Sequence, residues 1–271
     1  MTPIQTPGQV FDAVQRAKAG ATAFCTNFFP VESKLRGWID HGEMFVELRD
    51  RAAFFFRKDR DFLRFYFCAA DGAALQREIA AWPGLKTERV VTDLVGNESA
   101  VNNLRSALEP AGFRQHAQLQ RLMRTGRPES GADGLPVGFA EKADGPAVLG
   151  LIESLFDRYG EQLPMLYEIE AAIENRQILA VRNDSELAGL LFFETQGLAS
   201  TVRFWAVAEK FRALKVGSAV MRQYLKIHDA VRRFTLWVNV GNENAIRKYR
   251  HFGYAPDGLI DHVLASGLGS T

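Results

Sequence analysis

Cysteine and histidine are scarce in this chain, two and five residues of 271. Cys25 and Cys68 show no C-x-x-C spacing, which excludes a zinc ribbon and a disulfide scaffold and suits a reducing compartment. His41, His116, His228, His251 and His262 form no H-x-x-x-H or H-E-x-x-H pattern, so no metal site is expected. Charge of one sign is also missing: 33 Lys plus Arg meet 32 Asp plus Glu, a net +1 with no basic block. That balance excludes a protein that coats nucleic acid, whose affinity rests on many phosphate contacts. No apolar run reaches the ~18 residues of a membrane span, and the first residues lack the basic start and apolar stretch of a secretory leader. G-x-S-x-G and G-x-x-x-x-G-K-S/T are missing too, which removes the commonest hydrolase and nucleotide-triphosphate signatures. A cytoplasmic protein is expected, with neither nucleic acid nor membrane as partner.

What is present is an ordinary globular composition, 47% apolar and 24% charged. At roughly 150 residues per domain, the length suggests two domains. A glycine- and proline-rich segment at residues 126–136 reads as the linker between a first domain (1–125) and a second (137–271). The halves resemble copies of one unit. Val95-Gly96-Asn97-Glu98 recurs as Val240-Gly241-Asn242-Glu243, and the runs then end on Ala111-Gly112-Phe113 and Phe252-Gly253-Tyr254. Before each copy lies a meander of strands: Met44–Leu48, Ala52–Arg57 and Phe62–Cys68, then Ile178–Val181, Leu187–Glu194 and Thr201–Val207. A helix, a strand, the repeated motif, a second helix and a final strand follow in each half. The fold class is therefore α+β, two similar domains, each with a mixed, mostly antiparallel sheet flanked by helices. Phe54-Phe55-Phe56 with Phe62, Phe65 and Phe67 reads as sheet core, neighbours facing opposite sides.

Two segments carry chemistry. Phe211 to Ser218 joins a strand to a helix whose apolar face is Val216, Val220, Tyr224 and Ile227. The first amides of a helix lack intrahelical partners and sit at the positive end of its dipole, so this turn suits a diphosphate, with Arg212 and Lys215 adding charge. It is equally a plain strand-to-helix turn. In Asn242 to Tyr254, Asn242 stands at a helix N-cap and Gly253 at its C-terminus. Tyr249 shares an apolar face with Ala245 and Phe252, and core packing alone accounts for it.

Together these segments resemble the GNAT superfamily of acetyltransferases, over roughly residues 137–264. Asn242-Glu243-Asn244-Ala245-Ile246-Arg247-Lys248-Tyr249-Arg250-His251-Phe252-Gly253-Tyr254 is similar to that family's N-x-x-A-x-x-x-Y-x-x-x-G-F/Y signature. Arg212-Ala213-Leu214-Lys215-Val216-Gly217 stands where the family has R-G-x-G-I/L-G, with Ala213 and Lys215 in place of two glycines. The resemblance implies an N-acetyltransferase using acetyl-CoA and no metal, with a small-molecule or peptide amine as acceptor; a homodimer is left open. It further implies that backbone at Ala206 and Val207 pairs with the pantetheine arm. Amides of Arg212, Ala213, Lys215, Val216, Gly217 and Ser218 would hold the diphosphate. Asn242 would bond a pantetheine or carbonyl oxygen, and Tyr249 would protonate the departing thiolate. Glu161, Glu194 and Asp157 are the candidate bases, Glu161 being the one assigned, and each also reads as a surface carboxylate. Acceptor choice falls to Phe156–Met165, where Tyr159 and Glu161 would grip a cation. A longer acyl or aminoacyl donor, and a non-catalytic binding module on the same fold, remain as alternatives.

The first half is expected to be a degenerate copy without a coenzyme site. Its meander reaches the next helix through only Ala69-Ala70-Asp71-Gly72, too short for an amide cradle, and Asp71 would cap that helix with a negative charge. The tyrosine position aligns with Leu104.

Overall fold

The computed structural model describes residues 1–19, 21–126 and 134–267. Most of the expected linker, residues 127–133, lies outside the described residues. The elements in chain order are β1 (Thr2–Pro3), α1 (Pro7–Lys18), β2 (Cys25–Thr26), α2 (Glu32–Asp40), β3 (Met44–Leu48), β4 (Ala52–Asp59), β5 (Phe62–Ala69), α3 (Gly72–Ala80), β6 (Val90–Gly96), α4 (Glu98–Leu108) and β7 (Arg114–Thr125). They continue as β8 (Gly138–Phe139), α5 (Gly145–Leu155), α6 (Leu166–Glu174), β9 (Ile178–Asn183), β10 (Glu186–Gln196), β11 (Ala199–Val207), a 3-10 turn (Glu209–Leu214), α7 (Val216–Ile227), β12 (Arg233–Asn239), α8 (Glu243–His251) and β13 (Ala255–Ser266). The six meander strands and the helices after each meander fall where the sequence pattern places them, with ends shifted by a few residues.

The chain divides into two compact units, Met1–Leu119 with Gly258–Thr271, and Gln120–Asp257. The units therefore differ from the sequence halves. The final strand, which chain order gives to the second half, belongs from Gly258 onward to the first unit. It ladders antiparallel with β6, from Ile260↔Gly96 to Ser266↔Val90.

In the first unit the strand order is β1-β3-β4-β5-β6-β13. Successive residues of a strand face opposite sides. Phe54, Phe56, Phe65 and Phe67 accordingly form one core with Leu75, Ile79, Trp82, Val101 and Phe113. The alternate residues of β4 and β5 carry buried charge: Arg64 Nε donates to Asp59 Oδ2 at 2.8 Å, and Arg57 Nε to Glu43 Oε2 at 2.9 Å. Asp71 caps α3, its Oδ1 accepting from the Ala74 amide at 2.7 Å, as expected of that short connection.

β5 and β6 run parallel, with paired register at Leu63↔Val90 and Arg64↔Val91. Where they part, the segment Cys25–Phe28 enters. β2 pairs with the end of β5, Cys25↔Ala69 and Thr26↔Cys68. The Asn27 side chain then spans both strands. Its Nδ2 donates to Phe65 O (3.3 Å), Thr92 Oγ1 (2.8 Å) and Asp93 O (3.0 Å), and its Oδ1 accepts from the Phe67 amide (2.8 Å).

The second unit orders its strands β12-β11-β10-β9-β8. One face packs against α5 and α6 through Val148, Ile152, Ile169 and Ile173. The other packs against α7 and α8 through Val216, Val220, Met221, Tyr224, Leu225, Ile246 and Tyr249. Ile227, expected on the apolar face of α7, is 37% exposed; it closes the helix, and Leu225 takes its place in the core.

Candidate active site

Two departures from regular sheet geometry open the second unit. First, β11 and β12 run parallel with paired register only from Ala199↔Arg233 to Val202↔Leu236. Both strands continue, so beyond that point they enclose a notch. Second, the β10–β11 ladder shifts register between Phe192 and Phe193, where Arg203 is extra opposite them. Such a bulge reverses side-chain alternation. Val202 faces the α7 side; after the bulge Phe204 and Ala206 pack with the α5–α6 core, while Trp205 and Val207 pack toward α7 and α8.

The bulge also decides which backbone groups face the notch. The Ala208 amide donates to Ala188 O at 3.0 Å, so 188–208 is a hydrogen-bonded pair. Pairs of the two kinds alternate in an antiparallel ladder. Leu190↔Ala206 is therefore of the same kind, and Gly189↔Val207 is not. Ala206 thus spends its backbone groups on β10, which removes it from the expected pantetheine contacts. Val207, and two residues earlier Trp205, turn theirs to the notch.

The start of α7 docks beside this notch through two glycines. A Cβ on Gly189 would lie 2.6 Å from Val216 Cγ1 and 2.9 Å from Ala206 O. A Cβ on Gly217 would lie 3.2 Å from the Trp205 ring, whose Nε1 donates to Gly217 O at 3.2 Å. Between the 3-10 turn and α7, Lys215 has φ 60° and ψ 19°. That is the left-handed conformation a glycine adopts freely and a side chain adopts at ~1–2 kcal/mol. The lysine therefore holds a backbone conformation that a glycine would adopt freely.

A cleft of about 610 Å³ occupies the notch. Of the expected residues it brings together Glu161, Val207, Arg212, Lys215, Gly217, Ser218, Asn242 and Tyr249. Two residues expected to hold the cofactor do not line it, besides Ala206. Ala213 is exposed in the 3-10 turn, and Val216 is 1% exposed in the core under Gly189. Asn242 caps α8, with Oδ1 accepting from the Ala245 amide at 3.1 Å; the cap leaves the side-chain nitrogen as a donor. Cleft residues not anticipated include Trp205, Trp237 and Asn239, and the cations Arg247 and Lys248. The tryptophans stand on the two parted strands. The bulge that exposes Trp205 leaves no mark in a one-dimensional pattern of apolar residues. With Arg212 and Lys215, four cations line a cleft to which Glu161 contributes a lone carboxylate among the lining side chains.

The candidate bases separate cleanly. Glu194 lies outside the cleft, 3.5 Å from Arg203. Asp157 accepts the Tyr159 amide at 3.1 Å and does not line the cleft. Glu161 does, and burial, aided by the charge of Asp157, lifts its pKa to about 7. Tyr159 is not available to grip a cationic acceptor: the Arg158 guanidinium already sits 4.8 Å over its ring and donates to its hydroxyl at 3.2 Å.

Tyr249 is 8% exposed, with its ring 5.2 Å from Trp205 and 5.9 Å from Tyr254. Burial, and then the nearby Glu161, push its hydroxyl pKa far above 10, so it is a protonated donor at neutral pH. The cleft thus holds a carboxyl raised to about 7, a tyrosine hydroxyl protonated at neutral pH, a helix N-terminus and four cations. Among the described residues no group of three or more His, Cys, Asp or Glu is arranged to hold a metal, and no helix is long and apolar enough to cross a membrane.

Residues 149–254 match the family model described as the Acetyltransferase (GNAT) family. No curated protein sequence matches the chain. Solved structures do. A GCN5-related N-acetyltransferase from Sphaerobacter thermophilus aligns at 15% identity with a TM-score of 0.59, over 95% of this chain and 90% of that one. One from Kribbella flavida aligns at 15% identity with a TM-score of 0.58, over 95% and 96%. A tandem GNAT protein from the clavulanic acid biosynthesis pathway aligns at 12% identity with a TM-score of 0.59, over 100% and 98%. At such identities the likeness is one of fold.

Proposed function

We propose that this chain, whose residues 149–254 are a GNAT domain, is an N-acetyltransferase that moves an acetyl group directly from acetyl-CoA to an amine. The observation that carries the reading is the meeting of Glu161 and Tyr249 in one cleft, beside an α7 start where a Cβ at 217 would crowd Trp205 and Val207 at 3.2 and 3.3 Å. The donor set fits a diphosphate thioester. Amides of Val216, Gly217 and Ser218 begin a helix, and Arg212, Lys215, Arg247 and Lys248 add positive charge. Val207 and Trp205 offer strand backbone to an amide-bearing arm, and Asn242 offers a side-chain N–H.

Acetyl-CoA supplies the activated acetyl and a thiolate leaving group. Glu161 takes one proton from the attacking amine, and Tyr249 gives one to the departing sulfur. Nitrogen gains the acetyl, sulfur gains a proton, and the base and acid are restored by proton exchange between them or with solvent. A non-catalytic module on the same fold is the rival reading, favoured by Lys215 and Ala213 in the phosphate turn. The conformation of Lys215 weakens that argument, because the turn keeps its glycine-like path. The acceptor is read as a small-molecule or peptide amine and the setting as cytoplasmic.

Calorimetry with acetyl-CoA should find one site per chain, because the first unit's parted strands are filled by the segment Cys25–Phe28. No heat at high micromolar ligand would end the reading. The pH dependence gives a second check. A general base must be ionised, so kcat/KM should rise about tenfold per unit below pH ~7 and level above it. Glu161→Gln should lose that limb along with most of the activity. A profile flat from pH 5.5 to 8 in the wild type would remove Glu161 from the mechanism.

A further inference from the structure

We infer that Trp205 is a positioning residue: the indole is a strut that fixes the Tyr249 ring against the first turn of α7. This rests on reading the cleft as an acyl-transfer site. Three contacts support it. The indole Nε1 donates to Gly217 O at 3.2 Å, which ties it to α7. The ring packs directly on Gly217, where even a Cβ would lie only 3.2 Å from it. Its centroid is 5.2 Å from that of Tyr249 and 5.9 Å, edge-on, from that of Phe252. The bulge opposite Phe192 and Phe193 is what turns Trp205 toward α8; with regular alternation it would face the α5–α6 core. Tyr249 has Tyr254 as a further ring neighbour at 5.9 Å. Removing Trp205 would leave its cleft side open to water and its ring free to pivot.

The chemistry asks for this. A proton donor must reach one sulfur atom within hydrogen-bond distance, and the Tyr249 ring is oriented by the rings packed on it, Trp205 and Tyr254. Trp205 joins the turn that would hold the diphosphate to the residue that would meet the sulfur, so both ends of one ligand would be registered by a single side chain.

Two variants test it, Trp205→Leu, which removes the ring, and Trp205→Phe, which keeps a ring and loses the N–H. Trp205→Leu should lower kcat about 30-fold and change KM for acetyl-CoA less than about threefold, while Trp205→Phe should recover most of the rate. In a Tyr249→Phe background, Trp205→Leu should add less than about a twofold loss, because residues acting through one another are non-additive. Tyrosine ring-carbon NMR gives a readout that needs no turnover: Tyr249 should resist ionisation to pH 11 in the wild type and in Trp205→Phe, and begin to ionise at a lower pH in Trp205→Leu, where its ring gains access to water. Additive losses in the double variant, a Tyr249 titration unchanged by Trp205→Leu, or a Trp205→Phe rate as low as that of Tyr249→Phe would each overturn the assignment. An inactive wild type would defeat the acetyltransfer reading, and the NMR titration would still decide the role of Trp205.

Discussion

Tyr249→Phe is expected to lower kcat by about 10²–10³-fold and to leave acetyl-CoA affinity within about twofold, the range for losing one general acid. The substitution isolates the hydroxyl. Tyr249 contributes its ring to the α7–α8 core, against Trp205 and Tyr254, and phenylalanine keeps that packing. What disappears is a proton held in place by burial, on a group that would otherwise titrate near 10. The free thiol of the product titrates near 8.5, so a departing thiolate can leave unprotonated at reduced rate, and residual turnover is expected rather than none. Melting temperature should move little. Unchanged kcat, or a loss that falls equally on cofactor affinity, would show that Tyr249 is core and nothing more.

The second large effect lies in the first unit. Asn27→Ala is expected to destabilise that unit by about 3 kcal/mol, which for a domain of this size lowers its melting transition by roughly 10 °C. Asn27 makes four hydrogen bonds to groups on β5 and β6. Alanine cannot replace any of them. Phe65 O keeps Thr92 Oγ1 as a donor at 2.8 Å, but the Phe67 amide loses the acceptor it has in Asn27, and an unsatisfied buried donor costs more than the bond itself is worth. The variant should still bind a single acetyl-CoA per chain, because Cys25 and Thr26 remain paired to β5. A calorimetric transition within 1–2 °C of wild type would mean that the bridge contributes little and that water replaces it. A second equivalent of acetyl-CoA bound by the variant would mean that Asn27 alone had kept the notch closed.

Much of this was legible in the residues, and the rest was hidden for physical reasons. The strand meanders announce themselves as short apolar runs bounded by turn residues, as in Ala52 to Arg57 and Leu187 to Glu194, because a strand covered on both faces is apolar along nearly its whole length. The end of α8 was readable because Gly253, at φ 81°, is where a helix needs positive φ. Among the cleft residues, Arg212, Lys215, Gly217, Ser218, Asn242 and Tyr249 were singled out by spacing and family likeness. Ala206 was misplaced for a local reason: one bulged residue, Arg203, shifts which amides face the notch, and a bulge has no reliable sequence signal. Trp205 and Trp237 read as sheet residues in a chain rich in aromatics, and their standing on two parted strands is a tertiary fact. Glu161 was the assigned base among three carboxylates that all read as surface groups, and burial in the cleft is what sets it apart from Glu194 and Asp157. The segment Cys25–Phe28 was opaque for another reason. Its strand is two residues long, and its stability comes from partners at Phe65, Phe67, Thr92 and Asp93, far away in sequence.

The pairing of the last strand with β6 has a consequence for how the molecule is made. On the ribosome, Val90–Gly96 emerges long before Ile260–Ser266, its ladder partner, so the first unit is left waiting with a bare sheet edge while the second is translated. The unit synthesised first is the one completed last. Nascent chains stalled short of residue 258 should therefore expose β6 to chaperones and to one another, and should be protease-sensitive in their N-terminal portion until release.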